Sequence, residues 1–221
     1  MGTVQSVQEI AVIAKERGSL VHVDGAQGFC KINLDLGNSI DFYTASAHKI
    51  YGPKGIGCLF INGRKARKNI RPITFGGGQE NGLRPGTLPT PLIVGFAKAT
   101  EVCKELFSKK GKASLTETMA RLASEITKLP DASLNTLPDK HLGTTLNFKF
   151  DGIKSEALLL RLKELALSNG SACNSKDYKP SYVLKSIGLS DKESLESIRL
   201  SISPLQKVKV EDILSSLKDF L

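Results

Sequence analysis

Three side chains of this 221-residue chain belong to types that could take part in covalent chemistry. Asp24 directly follows an apolar segment, and a carboxylate at the end of a buried strand can pair with a protonated ring nitrogen. Lys49 precedes a glycine–proline turn, and a lysine held in a site can lose its proton and form a Schiff base. Cys173 lies in a small, polar, glycine-containing stretch suited to a reactive thiol. These types are consistent with a Schiff-base cofactor such as pyridoxal phosphate (PLP) and a sulfur nucleophile.

Further polar residues that could bind a ligand lie close in sequence to Asp24 and Lys49. Gln27 follows Asp24 by three residues, and Ser46 and His48 supply hydroxyl and imidazole donors beside Lys49 that suit a phosphate. Taken singly, each residue is weak evidence, because an aspartate after a strand is usually a turn former and a loop lysine usually lies on the surface. Their joint order along the chain is far more specific. The remaining histidines are interpreted as structural, and no metal site is predicted.

The elements that must position these residues follow an α/β pattern. A helical repeat covers Val4 to Arg17 and stops at Gly18, while short apolar runs predict strands at Leu20 to Val23, Ile40 to Tyr43 and Ile56 to Ile61. A helix followed by short apolar strands is typical of an α/β sheet with crossovers.

The composition changes after residue 71. The glycine- and proline-rich stretch Pro72 to Pro91 predicts a long ordered loop, and loops of this length usually carry function. Ile93 to Leu129 is predicted to be helical with a break near Gly111. The sequence then predicts an α+β unit with strands in TTLNFKF and SIRLSIS and helices at Ser155 to Leu167 and Val210 to Phe220. We therefore expect part of a large domain over 1–95, a connecting helical segment over 96–130 and a small domain over 131–221.

The net charge and the distribution of basic residues indicate which classes of molecule the protein could bind. The net charge is +9, and one dense basic patch consists of Arg64, Lys65, Arg67, Lys68 and Arg71. This patch is interpreted either as a solvated loop or as a docking surface for an anion or an acidic protein. Direct nucleic-acid binding is not expected, because no DNA-binding signature accompanies the charge.

The same composition predicts a cytoplasmic protein without a membrane segment. No apolar run approaches the length of a membrane span, and the N-terminus has no secretion signal. The four cysteines (Cys30, Cys58, Cys103 and Cys173) lie far apart without a CxxC pair, which argues against a zinc knuckle or a disulfide framework. All except Cys173 are interpreted as core residues.

Six motifs of the chain resemble those of one family, in that family's order. They are VHVDGAQGFCKINLDL, SAHKIYGPKGIGCLF, GGGQENGLRPGT, SNGSACNS, PSYVLKSIGLS and SIRLSIS. The chain is thereby identified as a member of the NifS/IscS-type cysteine desulfurases, PLP enzymes of the class V aminotransferase group. The resemblance implies the fold type I architecture of PLP-dependent transferases (aspartate-aminotransferase-like), with a partial large domain and a C-terminal α+β domain.

The resemblance also implies a role for each matching residue. Lys49 would form the Schiff base and move the substrate Cα proton, Asp24 would pair with the pyridinium nitrogen, and Gln27 would bond the ring hydroxyl. Ser46 and His48 would hold the phosphate. Further residues would come from elsewhere in the chain or the assembly: Thr87 reaching the partner subunit's cofactor phosphate, Arg199 binding the substrate carboxylate, and Cys173 accepting the sulfur.

The resemblance further implies the reaction and the partners. L-cysteine would be converted to L-alanine, and the Cys173 persulfide would supply iron–sulfur clusters, thiolated tRNA or DNA backbone sulfur. A homodimer with shared active sites is expected, with sulfur-acceptor proteins docking through the basic patch.

The N-terminal part of the family's chain has no counterpart in the sequence, which starts after the family's Asn-Glu-x-Gly motif. That part brings a ring-stacking histidine, a Gly-Thr phosphate loop and an asparagine near the ring. Two other interpretations therefore stay open. One is a catalytically silent, truncated fold remnant that serves in dimerisation or sulfur carriage. The other is a class V enzyme acting on a different amino acid.

Overall fold

The computed structural model describes residues 1–37, 39–136, 141–169, 179–206 and 208–219. The chain divides into two compact units. The first is Gln5–Phe107, and the second combines Met1–Val4 with Ser108–Leu221. The division into 1–95, 96–130 and 131–221 expected from composition stays a prediction.

A small mixed sheet forms the centre of the first unit. Its strands β1 (His22–Asp24), β2 (Phe42–Ser46) and β3 (Gly57–Ile61) lie in the order β1-β2-β3, with β1 parallel and β3 antiparallel to β2. The helices and 3-10 turns of the unit are α1 (Val7–Glu16), a 3-10 turn (Ala47–Ile50), α2 (Gly63–Lys68), a second 3-10 turn (Glu80–Gly82) and α3 (Thr90–Leu106). All three predicted strands are present, with β2 shifted by two or three residues towards Ser46.

An ion pair ties α1 to the start of β2. Lys15 Nζ lies 2.6 Å from Asp41 Oδ1, and the buried Asp41 carboxylate also accepts the Val21 backbone N–H at 2.8 Å. Burial by itself would raise the pKa of Asp41, but these two donors hold it below its ordinary value. This carboxylate links α1, the segment before β1 and the segment before β2.

The break in the long helical region does not lie at Gly111. Helix α3 ends at Leu106, and α4 (Lys109–Ile126) begins after Ser108, whose ψ of 164° is not helical. Gly111 lies in the first turn of α4, where a glycine does not interrupt the helix. The predicted break near Gly111 is therefore present but lies three to four residues earlier, where the buried Phe107 occupies the turn between the two helices.

An antiparallel sheet with the order β4-β5-β7-β6 forms the second unit. Its strands are β4 (Ala132–Leu134), β5 (Thr145–Phe150), β6 (Leu167–Ser168) and β7 (Ser197–Ser201), and its further helices are α5 (Ser155–Arg161), α6 (Tyr182–Ser186), α7 (Asp191–Leu195) and α8 (Val210–Lys218). Helix α4 packs on β5 and α8. The core of this unit includes Phe148, Phe150, Ile198, Met119, Leu122 and Leu217, all essentially buried.

One predicted helix of the second unit is shorter than expected. The apolar pattern from Ser155 to Leu167 predicted a continuous helix, but α5 ends at Arg161. Leu162 leaves the helical conformation while staying buried, and Leu167 instead pairs with Leu200 of β7. The edge of β7 thus pairs with Leu167, the last residue that the local pattern had assigned to the helix, and with Ser168 after it.

Among the described residues, no helix is long and apolar enough to cross a membrane. The described residues also contain no cluster of three or more His, Cys, Asp or Glu side chains that could hold a metal ion.

Candidate functional site

The carboxyl ends of β1 and β2 lie at one edge of the first sheet. Because the strands are parallel with Asp24 opposite Thr44, the side chains of Asp24, Thr44 and Ser46 share one face of the sheet. Asp24 is exposed, and one of its carboxylate oxygens accepts the Ala26 N–H at 3.0 Å. The other oxygen stays available to a ligand. Such a strand edge is where ligands bind in open α/β sheets.

Gly25 allows the chain to turn tightly after β1. A Cβ at this position would lie 1.8 Å from Cζ of Tyr43, so a side chain there would overlap the ring. The Tyr43 hydroxyl donates to the Gly25 carbonyl at 3.3 Å, and the Gly25 N–H donates to the Thr44 carbonyl at 2.9 Å. The turn that exposes Gln27 is therefore fixed against β2.

A Gly25→Ala variant tests this packing. The added methyl group must displace the Tyr43 ring, and overpacking of this kind costs about 1–3 kcal/mol of unfolding free energy. We expect the urea midpoint to fall accordingly. Gly78→Ala is the matched control, because a Cβ there has nothing within 4 Å. Equal stability of the two variants would contradict the packing argument.

Lys49 lies on a short turn whose first and last residues are anchored in the core. Ala47 and Ile50 are fully buried, while His48 and Lys49 between them are exposed. Tyr51 closes the turn with a φ of 69°, and the Gly52 N–H donates to the Ala47 carbonyl at 2.9 Å. The backbone thus holds the amine and the imidazole outward at the end of β2.

Close packing on α3 supports this turn. A Cβ at Gly52 would lie 3.0 Å from both the Ala47 carbonyl oxygen and the Ala99 Cβ, and one at Gly95 would lie 3.1 Å from Pro53 Cγ. Glycines at these two points let the segment after Lys49 approach the helix. The GPKG run seen in the sequence therefore has a packing role in addition to forming a turn.

Two polar groups of the first unit have pKa values that depart from their ordinary values. Burial, with further contributions from Cys30, Cys58 and Asp24, raises the pKa of Tyr43 to about 12, so its hydroxyl stays protonated as a donor. Burial also lowers the pKa of Lys31, and the charge of Lys49 contributes to that lowering. The sequence did not lead us to predict that Lys31 lies within electrostatic range of Lys49, although Lys31 is the single basic residue within the largely apolar stretch GFCKINLDL.

The other predicted site residues are not brought to this edge by the described geometry. Thr87 is exposed in the loop before α3. Arg199 lies in the second unit, half-buried in β7, where it is opposite Asn147 of β5 and Ser168 of β6. Cys173 lies outside the described residues, although its segment follows β6 directly. The assigned roles of all these residues stay predictions.

The sequence as a whole matches one family. Residues 1–213 match the family described as aminotransferase class-V. This chain belongs to the class V aminotransferases. A similar protein, the mitosomal cysteine desulfurase of Encephalitozoon cuniculi, is 42% identical over 218 residues, which cover 98% of this chain and 50% of that relative. The chain therefore spans about half the length of the curated relatives it matches.

Solved structures of class V relatives agree with the fold. A NifS-like protein from Rickettsia africae superposes with a TM-score of 0.85 and 25% identity, over 99% of this chain and 58% of its own. A structure described as SspA in complex with cysteine is 40% identical with a TM-score of 0.73, over 94% of this chain and 57% of its own. The predicted fold class and the resemblance to cysteine desulfurases are confirmed.

The class V family is PLP-dependent, and the first unit offers groups that fit this cofactor. An exposed carboxylate (Asp24) suits the ring nitrogen, an exposed amine (Lys49) suits the aldehyde carbon, and the side chains of Ser46 and His48 suit the phosphate. Asp24 and Ser46 share one face of the sheet, and the turn carrying His48 and Lys49 continues directly from β2. These residues would cover one side of the cofactor.

Proposed function

We propose that this chain is the lysine- and cysteine-bearing part of a PLP-dependent cysteine desulfurase. The observation that carries the proposal is the edge formed by β1 and β2, where Asp24 and the Lys49 turn lie in a chain 42% identical to a cysteine desulfurase. The arrangement alone fits many class V enzymes. The sulfur chemistry is supported by the relatives' names and by the cysteine of the SspA complex.

The residues of the first unit bind and orient the cofactor in this proposal. PLP, when bound, supplies an electron sink for the bonds around the substrate Cα. Asp24 keeps the ring nitrogen protonated, Gln27 bonds the ring hydroxyl, and Ser46 and His48 hold the phosphate. Lys49 holds the cofactor covalently through Nζ and moves the proton at the substrate Cα. The buried anchors Ala47 and Ile50 keep that amine in place.

The residues of the second unit bind the substrate and receive the sulfur. Arg199 holds the substrate carboxylate, and the Cys173 thiolate attacks the substrate sulfur. The C–S bond breaks, the sulfur stays on Cys173 as a persulfide, and the three-carbon remainder takes up protons and leaves as L-alanine. The pairing of Ser168 with Arg199 supports this assignment, because Ser168 lies five residues before Cys173 in the sequence.

The chain by itself is expected to turn over cysteine poorly. Each lost charge-assisted phosphate hydrogen bond costs about 1.5–3 kcal/mol, and about 1.4 kcal/mol weakens binding tenfold. We expect the protein mixed with PLP and L-cysteine to give little alanine and sulfide. Supplying the other half of the family fold, taken from the Encephalitozoon cuniculi relative, should restore a yellow protein and at least a hundredfold more alanine.

One outcome of that assay would contradict the expected weak activity of the chain alone, and another would contradict the proposed function. Strong turnover by the 221-residue chain would show that the residues outside it matter little. A yellow, cofactor-loaded assembly that transaminates amino acids without releasing sulfur would replace the desulfurase with another class V activity. A Cys58→Ser variant is the matched control, because Cys58 has no assigned role in the reaction.

A catalytically silent module is the second candidate, and the exposed apolar surface favours it. Ile73 is 92% and Phe75 85% exposed in the long loop, and Ile13 and Val94 are also exposed. A contiguous patch of exposed apolar side chains usually marks a surface that binds another chain, and we infer that another chain covers the loop with Ile73 and Phe75. The proposed homodimer with shared sites would cover the loop that carries Thr87 and give that residue its role on the partner subunit's phosphate.

The proposed sulfur acceptors are proteins that meet the basic patch. The buried Ala66 anchors α2, so Arg64, Lys65 and Lys68 stay exposed around it, with Arg71 just beyond the helix. Arg67 instead donates to the Asn81 carbonyl at 3.0 Å. An acidic partner surface would complement this patch. The cytoplasm is the proposed location, because a reducing compartment keeps thiols free, as the described cysteines are.

A further inference from the structure

Cys30 and Cys103 come together although they are far apart in sequence. Cys30 lies in the turn after β1, and its Sγ is 3.9 Å from the Thr100 carbonyl oxygen of α3. Cys103 lies one helical turn beyond Thr100, on the same side of the helix. The Phe29 and Phe96 rings, with centroids 5.9 Å apart, pack this turn and α3 together. The two thiols are also close enough for each to influence the pKa of the other.

The two thiols differ in access. Cys103 is fully buried, whereas Cys30 is partly exposed. A reagent in solution can therefore reach Cys30 more readily than the fully buried Cys103. This is the arrangement of an attacked thiol with a resolving thiol behind it.

We propose that Cys30 and Cys103 are a redox modification site, at which a low-molecular-weight disulfide converts the thiol pair to an intramolecular disulfide. The pair has no part in the proposed desulfurase reaction, and the modification does not depend on that function. Its structural effect is to tie the turn that carries Asp24 and Gln27 covalently to α3.

The exchange balances without any further reactant. The Cys30 thiolate attacks one sulfur of the small disulfide, forming a mixed disulfide and releasing one small thiolate. The Cys103 thiolate then attacks the Cys30 sulfur, and the second small thiolate leaves. The two protons of the protein thiols end on the two released thiols. The protein pair is oxidised by two electrons, and the small disulfide is reduced by two.

The surroundings make this exchange slow at neutral pH. Burial raises the pKa of Cys30, and it raises the pKa of Cys103 to about 11, so few thiolates exist near pH 7. Lys31 and Lys104 oppose the rise at Cys30, while Cys58 adds to it. Tyr43 also lies within electrostatic range of Cys30. The rate should increase roughly tenfold per pH unit while the pH stays below these pKa values.

The test uses the native chain and glutathione disulfide. After incubation at pH 7, 8 and 9, free thiols are alkylated and the protein is digested without reduction. We expect a cross-linked peptide pair joining Cys30 to Cys103, formed about tenfold faster at each step in pH. Cys58→Ser should form the same cross-link, whereas Cys30→Ser should leave Cys103 unmodified by glutathione. The cross-link should also raise the melting temperature, because it closes a long loop.

The wild-type chain alone can test the proposal, so the result does not depend on whether a variant folds. The wild-type chain in urea should give scattered cysteine pairings in place of a dominant Cys30–Cys103 link, so selectivity in the native chain is itself a readout. A stable glutathione adduct on Cys30 with Cys103 still open to alkylation would overturn the proposal. A dominant link between Cys30 and Cys58 would do the same.

Discussion

Borohydride reduction of the chain in the presence of PLP is expected to attach a pyridoxyl group to Lys49. The amine is exposed on a turn held by the buried Ala47 and Ile50, so it can reach an aldehyde without disturbing the core. Peptide mapping by mass spectrometry should place the adduct there. In the assembled enzyme, Lys49→Ala should lower alanine production by about 10²–10⁴-fold, the usual contribution of a positioned proton-transfer group.

The neighbouring lysine provides the control for this labelling. Lys54 lies five residues further along the same segment and has no assigned role. Lys54→Ala should keep the adduct on Lys49, and an adduct found mainly on Lys54 would refute the assignment. Asp24→Asn should keep the label but lower turnover, because it removes the group that holds the ring nitrogen protonated.

A Cys173→Ser variant is expected to lose sulfur transfer completely while still binding L-cysteine. Serine keeps the size of the side chain but is not a nucleophile able to hold sulfur as a persulfide. In the active assembly, incubation of the unmodified protein with L-cysteine should leave one added sulfur on Cys173. Mass spectrometry of the intact chain and its peptides measures this directly.

The other cysteines decide whether that result is specific. Cys30 is partly exposed and Cys103 is buried, and the raised pKa values of both thiols disfavour the thiolate that carries sulfur. They and Cys58 should gain no sulfur. Full alanine and sulfide production by Cys173→Ser, or a persulfide found mainly on Cys58, would show that the nucleophile lies elsewhere.

Local sequence signals predicted much of the first unit. Short apolar runs bounded by glycines identified β1, β2 and β3. The structure has Asp24 at the end of β1, as the pattern predicted, and Lys49 in the turn that follows β2. The prediction of these strands succeeded because a strand of a small sheet consists of apolar residues followed by a turn. The apolar residues and the turn-forming residues are neighbours in the sequence, so a local pattern identifies both. Membership in the family also followed from the order of motifs, and the comparisons confirm it.

Local signals failed where a distant residue decided the outcome. The end of α5 at Arg161 depends on β7 offering an edge to Leu167, and the break after α3 depends on the packing of Phe107. The prediction that Cys58 is a core residue was wrong. Its apolar neighbours Leu59 and Phe60 suggested a buried strand, but all three residues are exposed on the edge strand β3. In each case the local sequence showed only that the residues are apolar. Whether and where those residues are buried depended on segments that are distant in sequence.

The sequence by itself determined the residue types of the site, their order and the family. Only the tertiary structure decided that Gly25 must lack a side chain beside Tyr43, that Gly52 lets the lysine turn approach α3, and that Cys30 meets Cys103. These features depend on which surfaces of distant segments touch. The periodicity of apolar residues in a sequence indicates which face of a helix or strand is buried. Which atoms pack against that face is decided only when the helices and strands assemble.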